Sequence, residues 1–163
     1  MGWYNSDGLY VKFGTEEATV GKAGMYRTAG PQQMCELTIS DMTALTTTGV
    51  IQDYNTVLPK NARIEKVEVI TTTDCTSGGS ATLDIGLIRT DTSTSYDDDG
   101  LVAALALASF NSAGETASLT VGVTSAGALI GTTLANNGYL VASYNTAAFT
   151  AGAIKVRIYY TRP

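Results

Sequence analysis

The chain has 163 residues, with 10 Lys and Arg against 15 Asp and Glu, a net charge of −5 and no histidine. Charged residues make up only 15%, against roughly a quarter in average soluble domains. Without His, a Ser-His-Asp triad, a His metal cluster and imidazole acid–base catalysis are all excluded.

Thr, Val, Ile and Tyr recur in short alternating runs from end to end, broken by Gly, Asn, Asp and Ser, which predicts an all-β chain. Residues 1–34 are richer in Gly and aromatics than the rest and hold the only Trp. They read either as an N-terminal arm ahead of a body spanning 35–163, or as an early strand that completes that body. Here Asp7-Gly8 marks a turn, and Leu9, Val11 and Phe13 alternate with Tyr10 and Lys12. Leu37 and Ile39 then alternate with Glu36, Thr38 and Ser40. Pro59 sits just ahead of a strand, where its missing N–H does little harm. In Ala62 to Val69 the apolar set moves from even to odd positions after Ile64. A one-residue slip would send side chains to the wrong face, so a bulge is expected near Glu65-Lys66.

Ser77-Gly78-Gly79-Ser80 has the composition of a hairpin loop. It precedes a half-buried strand in which Ala81, Leu83, Ile85 and Leu87 share one face. Asp99-Gly100 and Asn137-Gly138 are tight-turn dipeptides. Leu101 to Ala108 is the only helix candidate: Ala and Leu favour it, and Asp97, Asp98 and Asp99 would complement its N-terminal dipole. Near the end, Ile154, Val156, Ile158 and Tyr160 share a face opposite Lys155, Arg157 and Tyr159. Strands with one short helix predict a jelly-roll-like antiparallel β-sandwich.

A pI near 4.5 argues against binding nucleic acid through phosphates, which takes a basic stripe. Only Lys60, Arg63 and Lys66 lie close together, and Glu65 and Glu68 dilute them. The longest apolar run, Leu101 to Ala108, falls far short of the about 20 residues a membrane helix needs. The start lacks a basic region and an apolar stretch, so no leader is expected. Met1-Gly2 with Ser6 matches a myristoylation pattern, but bulky Trp3 follows the acceptor and no basic cluster supplies a second signal. No membrane partner is therefore expected.

Chemistry-bearing groups are sparse. Asp97 and Asp99 are the best calcium candidates. In an EF-hand register, Ser95, Asp97, Asp99 and Gly100 take positions one, three, five and six, but position twelve, which requires Glu, is Ala106. No metal and no cofactor is expected. Glu65 with Glu68, or Asp84 with Asp91, are the carboxylate pairs available for acid–base work. Neither lies in a recognisable motif, and nucleophile, base and oxyanion donor cannot be filled together, so no enzyme is expected. The glycines match neither G-x-G-x-x-G nor a phosphate loop. Cys35 and Cys75 read as small buried hydrophobes, with a disulfide as the alternative. The aromatics Trp3, Tyr4, Tyr10, Phe13 and Tyr26 are the candidate interface residues, since aromatics on weakly structured segments anchor partner surfaces.

Four stretches together resemble virion proteins of tailed bacteriophages: Tyr4 to Gly14, Leu58 to Val69, Gly78 to Leu87 with the Asp99-Gly100-Leu101 turn, and Asn137 to Ala142 followed by Ala151 to Val156. The chain resembles the capsid decoration, or cement, proteins of these phages. The resemblance implies a jelly-roll-like sandwich that assembles as a trimer of identical chains on the virion exterior, where it ties subunits of the major capsid protein together. It carries no catalytic or contact residues over. The same composition suits a second reading, a carbohydrate- or receptor-binding sandwich of a head fibre or tail tip. That reading would use Tyr144, Tyr159 and Tyr160 as stacking platforms beside Asp97 to Asp99.

Overall fold

The computed structural model describes residues 3–4, 10–11, 32–92 and 95–161. The chain divides into two compact units, Met1–Pro31 and Gln32–Pro163. In the first, β1 (Trp3–Tyr4) and β2 (Tyr10–Val11) form an antiparallel pair, with Trp3 opposite Val11 and Tyr4 opposite Tyr10. The expected alternation at Leu9 and Phe13, and the turn at Asp7-Gly8, lie outside the described residues.

The second unit is a sandwich of two antiparallel sheets. Its strands are β3 (Gln32–Ile39), β4 (Val50–Ile51), β5 (Val57–Leu58), β6 (Arg63–Ser77), β7 (Thr82–Arg89), β8 (Ser95–Ala106), β9 (Thr116–Leu119), β10 (Gly138–Asn145) and β11 (Phe149–Thr161). One sheet has the order β3-β11-β6-β9. The other has the order β4-β10-β7-β8, with β5 also on β10. Alternation of side chains along each strand decides what lies between the sheets. Leu37, Val156 and Val69 stand side by side across one sheet. Leu140 faces Leu87, and Ala142 faces Ile85, across the other. All are buried in one core with Ile64, Val67, Leu83, Val102, Ile154 and Ile158. Phe110 and Phe149 fill part of it with ring centroids 5.9 Å apart.

The parity break in β6 is a bulge. Tyr159 pairs with Lys66 and Tyr160 with Ile64, so Glu65 is the extra residue. Ile64 and Val67 both stay buried as a result.

Three local expectations are corrected. Residues 101–108 form no helix. Leu101 to Ala106 continue β8, where Val102 pairs with Ile85 and Leu105 with Leu83, and only Leu107–Ser109 makes a 3-10 turn. Burial of Leu101, Val102 and Leu105 against β7 outweighs a helix propensity worth tenths of a kcal/mol per residue. Asp99-Gly100 is no turn but the middle of the same strand. Residues 77–80 join no hairpin either, since β6 and β7 lie in different sheets and the glycine loop carries the chain across the sandwich.

Candidate functional site

The two sheets present outer faces of opposite character. On the β3-β11-β6-β9 sheet, the outward residues run in rows across the strands: Glu36, Arg157, Glu68 and Ser118 form one, and Thr38, Lys155, Ile70 and Thr116 the next. The Glu36 carboxylate accepts from Arg157 Nε at 2.8 Å and Lys155 Nζ at 3.3 Å. Glu68 accepts from Lys66 Nζ at 2.7 Å and from the Tyr159 hydroxyl at 2.9 Å. Lys66 Nζ also lies 4.4 Å from the Tyr159 ring centroid, a cation–π distance. The Arg157 hydrogen bond, then that of Lys155, lowers the Glu36 pKa, and the Lys66 hydrogen bond lowers that of Glu68. With Arg63 beside Glu65 at 3.7 Å, every ion pair among the described residues lies on β3, β6 and β11. This face neutralises itself.

The other sheet gathers carboxylates. Leu87 pairs with Asp97 but Ile85 pairs with Val102, so β8 carries an enlarged bulge at Asp98 to Leu101 opposite Gly86. The bulge places one carboxylate oxygen each of Asp97, Asp98 and Asp99 within 4.8 Å of one another. Asp84 lies nearby on β7, with Oδ1 accepting from the Ala104 N–H at 2.6 Å. Burial raises the pKa of Asp84, and the charges of Asp99 and Asp98 add to it. Burial raises that of Asp97 too, followed by its hydrogen bond with the Asp99 side chain and the Asp99 charge. Among the described residues, no cation comes within ion-pair distance of these four groups. This is the arrangement expected of like charges held together by backbone geometry. The calcium candidates Asp97 and Asp99 are thus brought together with Asp98, though on a strand bulge and not at a helix N-terminus.

The remaining candidates are dispersed. Trp3, Tyr4 and Tyr10 lie on the β1/β2 pair of the first unit, while Phe13 and Tyr26 lie outside the described residues. Tyr144 turns towards the core and meets the Phe149 ring edge-on at 6.4 Å. Tyr159 lies on the outer, ion-paired face, and Tyr160 packs against the core. These three tyrosines form no common stacking platform. Glu68 is engaged by Lys66 and Tyr159, and Glu65 accepts from the Thr161 hydroxyl at 3.2 Å. Asp84 lies near the start of β7, and Asp91 lies in the turn beyond its end. Cys35 and Cys75 are both free thiols, with pKa values raised by burial.

By sequence, the chain matches no protein-family model and no curated protein. By structure it is similar to a chain of the cyanophage Pam1 capsid asymmetric unit, at a TM-score of 0.57 and 17% identity, covering 93% of this chain and 99% of that one. It is also similar to a chain of the capsid of Ralstonia phage GP4, at a TM-score of 0.55 and 19% identity, over 88% and 92% of the two chains. The fold is one that phage capsids contain.

Sequence reasoning missed one feature of this sandwich. Tyr139-Leu140-Val141-Ala142 is apolar at every position, where a strand with one wet face would alternate. Tyr139 carries the Tyr54 ring against it at 5.3 Å, edge-on. The unbroken apolar run was the available signal.

Proposed function

We propose that this chain is a virion structural protein of a tailed bacteriophage: a jelly-roll-like decoration, or cement, protein that binds the outer surface of the major capsid shell. It works as a homotrimer, without catalysis or cofactor. The observation that carries this reading is the sandwich shared over nearly the whole chain with chains from two phage capsids. The chemistry of the described residues supports it. Its carboxylates are paired with cations, as Glu36 and Glu68 are, engaged by neighbouring N–H and hydroxyl groups, as Asp41, Asp53, Asp74 and Glu115 are, or held against one another, as at Asp97 to Asp99. A rigid sandwich with few charges suits extensive contact, because interface cores are depleted of charged residues. Many identical copies on a shell make a modest contact strong.

In this reading residues 1–34 serve as an arm whose aromatics, Trp3, Tyr4, Tyr10, Phe13 and Tyr26, anchor a neighbouring copy. The arm's last residues, Gln32, Gln33 and Met34, pair with Thr161, Tyr160 and Tyr159 of β11.

The test is co-sedimentation of the purified chain with shells of its phage assembled without it, together with light scattering of the free chain. Saturable binding and a mass three times the 17.0 kDa of the chain are expected. A chain that stays monomeric and never sediments with the shell overturns the proposal.

A further inference from the structure

We infer that the outer face of the β4-β10-β7-β8 sheet is the surface that seats on the shell. Its partner there is a protein surface with an apolar centre and a rim of Lys and Arg. This inference rests on the virion reading above and adds the face and the chemistry of the contact.

The first observation is an apolar patch on the outside of a sheet. Leu140 and Ala142 point into the core, so Tyr139 and Val141 point outward. Directly opposed residues of antiparallel strands share a face. Tyr139 is opposed by Val57 and Ile88, and Val141 by Ile51. Tyr54 adds its ring to Tyr139 and is 65% exposed, and Val57 is 37% exposed. Val141 is itself only 3% exposed, with Gly49 close against it, so the accessible apolar surface is Tyr54 and Val57 with the half-buried Ile51, Ile88 and Tyr139 around them. The opposite sheet presents ion-paired rows in the equivalent place, so an apolar exterior is not a property of the sandwich as such.

The second observation is where the charge lies. A cleft of about 170 Å³ lined by Thr48, Gly49, Ile88, Asp98 and Val141 joins the apolar patch to the acidic bulge. Of the four carboxylates only Asp98 lines this cleft. Asp97 and Asp99 each place a carboxylate oxygen within 4.8 Å of one of Asp98's, and Asp84 lies near enough for the charges of Asp98 and Asp99 to act on it. No cation among the described residues comes within ion-pair distance of any of them. Arg89, on the same strand as Asp84, shares the inward parity of Leu87, and its Nε is buried. The face is therefore apolar with an acidic margin.

Charge complementarity selects the occupant. A second copy docking the same face would set these carboxylates against their own kind, and juxtaposed like charges oppose association. A second copy docking its other face would meet cations already engaged by Glu36 and Glu68. A partner with apolar residues at its centre and Lys or Arg around them satisfies both halves of the face.

The experiment measures binding of the full-length chain to shells lacking it, at low and high salt. Two paired variants alter the face: Tyr54→Ala with Val57→Thr, and Asp98→Lys with Asp99→Lys. Thr38→Glu alters the opposite sheet, where Thr38 is exposed. Each face pair is expected to lose about tenfold in affinity or more, and the lysine pair also to lose the weakening by salt seen in the unaltered chain. Thr38→Glu is expected to bind unchanged.

If the unaltered chain binds and both face pairs bind equally well, the face is wrong and the virion reading stands. If the unaltered chain does not bind, the virion reading fails and this inference fails with it. If Tyr54→Ala with Val57→Thr instead changes the mass of the free chain, the occupant is a second copy. If it lowers Tm by several degrees with no loss of binding, the chain's own residues cover the patch. Either of the last two results overturns the inference.

Discussion

A β-carbon on Gly86 would overlap the carbonyl oxygen of Asp97 and the backbone of Asp98. The bulge of β8 therefore lies directly on this glycine, and the acidic cluster depends on a missing side chain. Gly127 holds the same bulge from the other direction, against the backbone of Asp99 and Gly100. Backbone cannot yield as a side-chain tip can, so Gly86→Ala has to displace β8 or break its pairing with β7. The expected cost is about 3 kcal/mol, a fall in Tm of roughly 6–12 °C for a chain of this size. Gly78 is the control, because a β-carbon there meets nothing within 4 Å. Gly78→Ala is expected to change stability by no more than about 0.5 kcal/mol. Thermal unfolding of the two variants measures the contrast. Equal Tm values would mean that the bulge rearranges at little cost.

At the level of elements, what could be read from residues was whatever local alternation decides. Ala81 to Leu87 and Ile154 to Ile158 show their buried faces in the order of the letters, and the slip after Ile64 marks a bulge because only an extra residue keeps both Ile64 and Val67 inside. Pairing partners leave no such mark. Leu101 to Ala106 has helical composition, yet β7 offers it a ladder and a core to bury in, and that choice is made by residues far away in sequence. Glycine and serine at 77–80 make a tight loop equally well within a sheet or between sheets. The candidate site was legible to the same degree. Adjacent aspartates could be seen, but not the strand bulge that crowds them, and Tyr54 meets Tyr139 only through the fold.

Thr71 illustrates a long-range tie of this kind. It is 1% exposed, and its hydroxyl donates to the Phe110 carbonyl at 2.6 Å. Its backbone N–H donates to Glu115 and its carbonyl accepts from Gly114, so one residue of β6 secures the connection from β8 to β9. Thr71→Val keeps the shape but leaves the Phe110 carbonyl without that donor. A loss of about 1–2 kcal/mol is expected, read as a lower urea midpoint with an unchanged slope.

For the whole molecule, segregating charge onto two faces gives its stability two opposed responses to pH. Glu36 and Glu68 have pKa values lowered by their hydrogen bonds to Arg157 and Lys66. Their contribution is complete above the ordinary carboxylate range and is lost as pH falls through the lowered values. Asp84 and Asp97 have pKa values raised first by burial. The folded chain holds their protons more tightly than the unfolded chain, so stability falls as pH rises from the ordinary range through the raised values. Tm is therefore expected to climb from low pH, peak near the ordinary carboxylate range at about pH 4 to 5, and decline above it. With no histidine in the chain, no imidazole titration obscures the decline. Asp84→Asn with Asp97→Asn keeps an acceptor oxygen at each site and is expected to flatten the upper limb. Glu36→Gln with Glu68→Gln is expected to flatten the lower one in part, since Asp41 and Asp53, lowered by hydrogen bonds from Thr43 and Thr56, contribute to the same limb. Removing two acids also reduces general repulsion in a chain of net charge −5. Asp74→Asn with Glu115→Gln controls for this, since both side chains accept only single backbone N–H groups, from Ala113 and Ser112. If this control flattens the upper limb as much as the Asp84 and Asp97 pair does, the decline comes from net charge and not from the bulge. If only that pair flattens it, burying and crowding these carboxylates destabilises the free chain as pH rises, and a basic partner surface would offset that cost on docking.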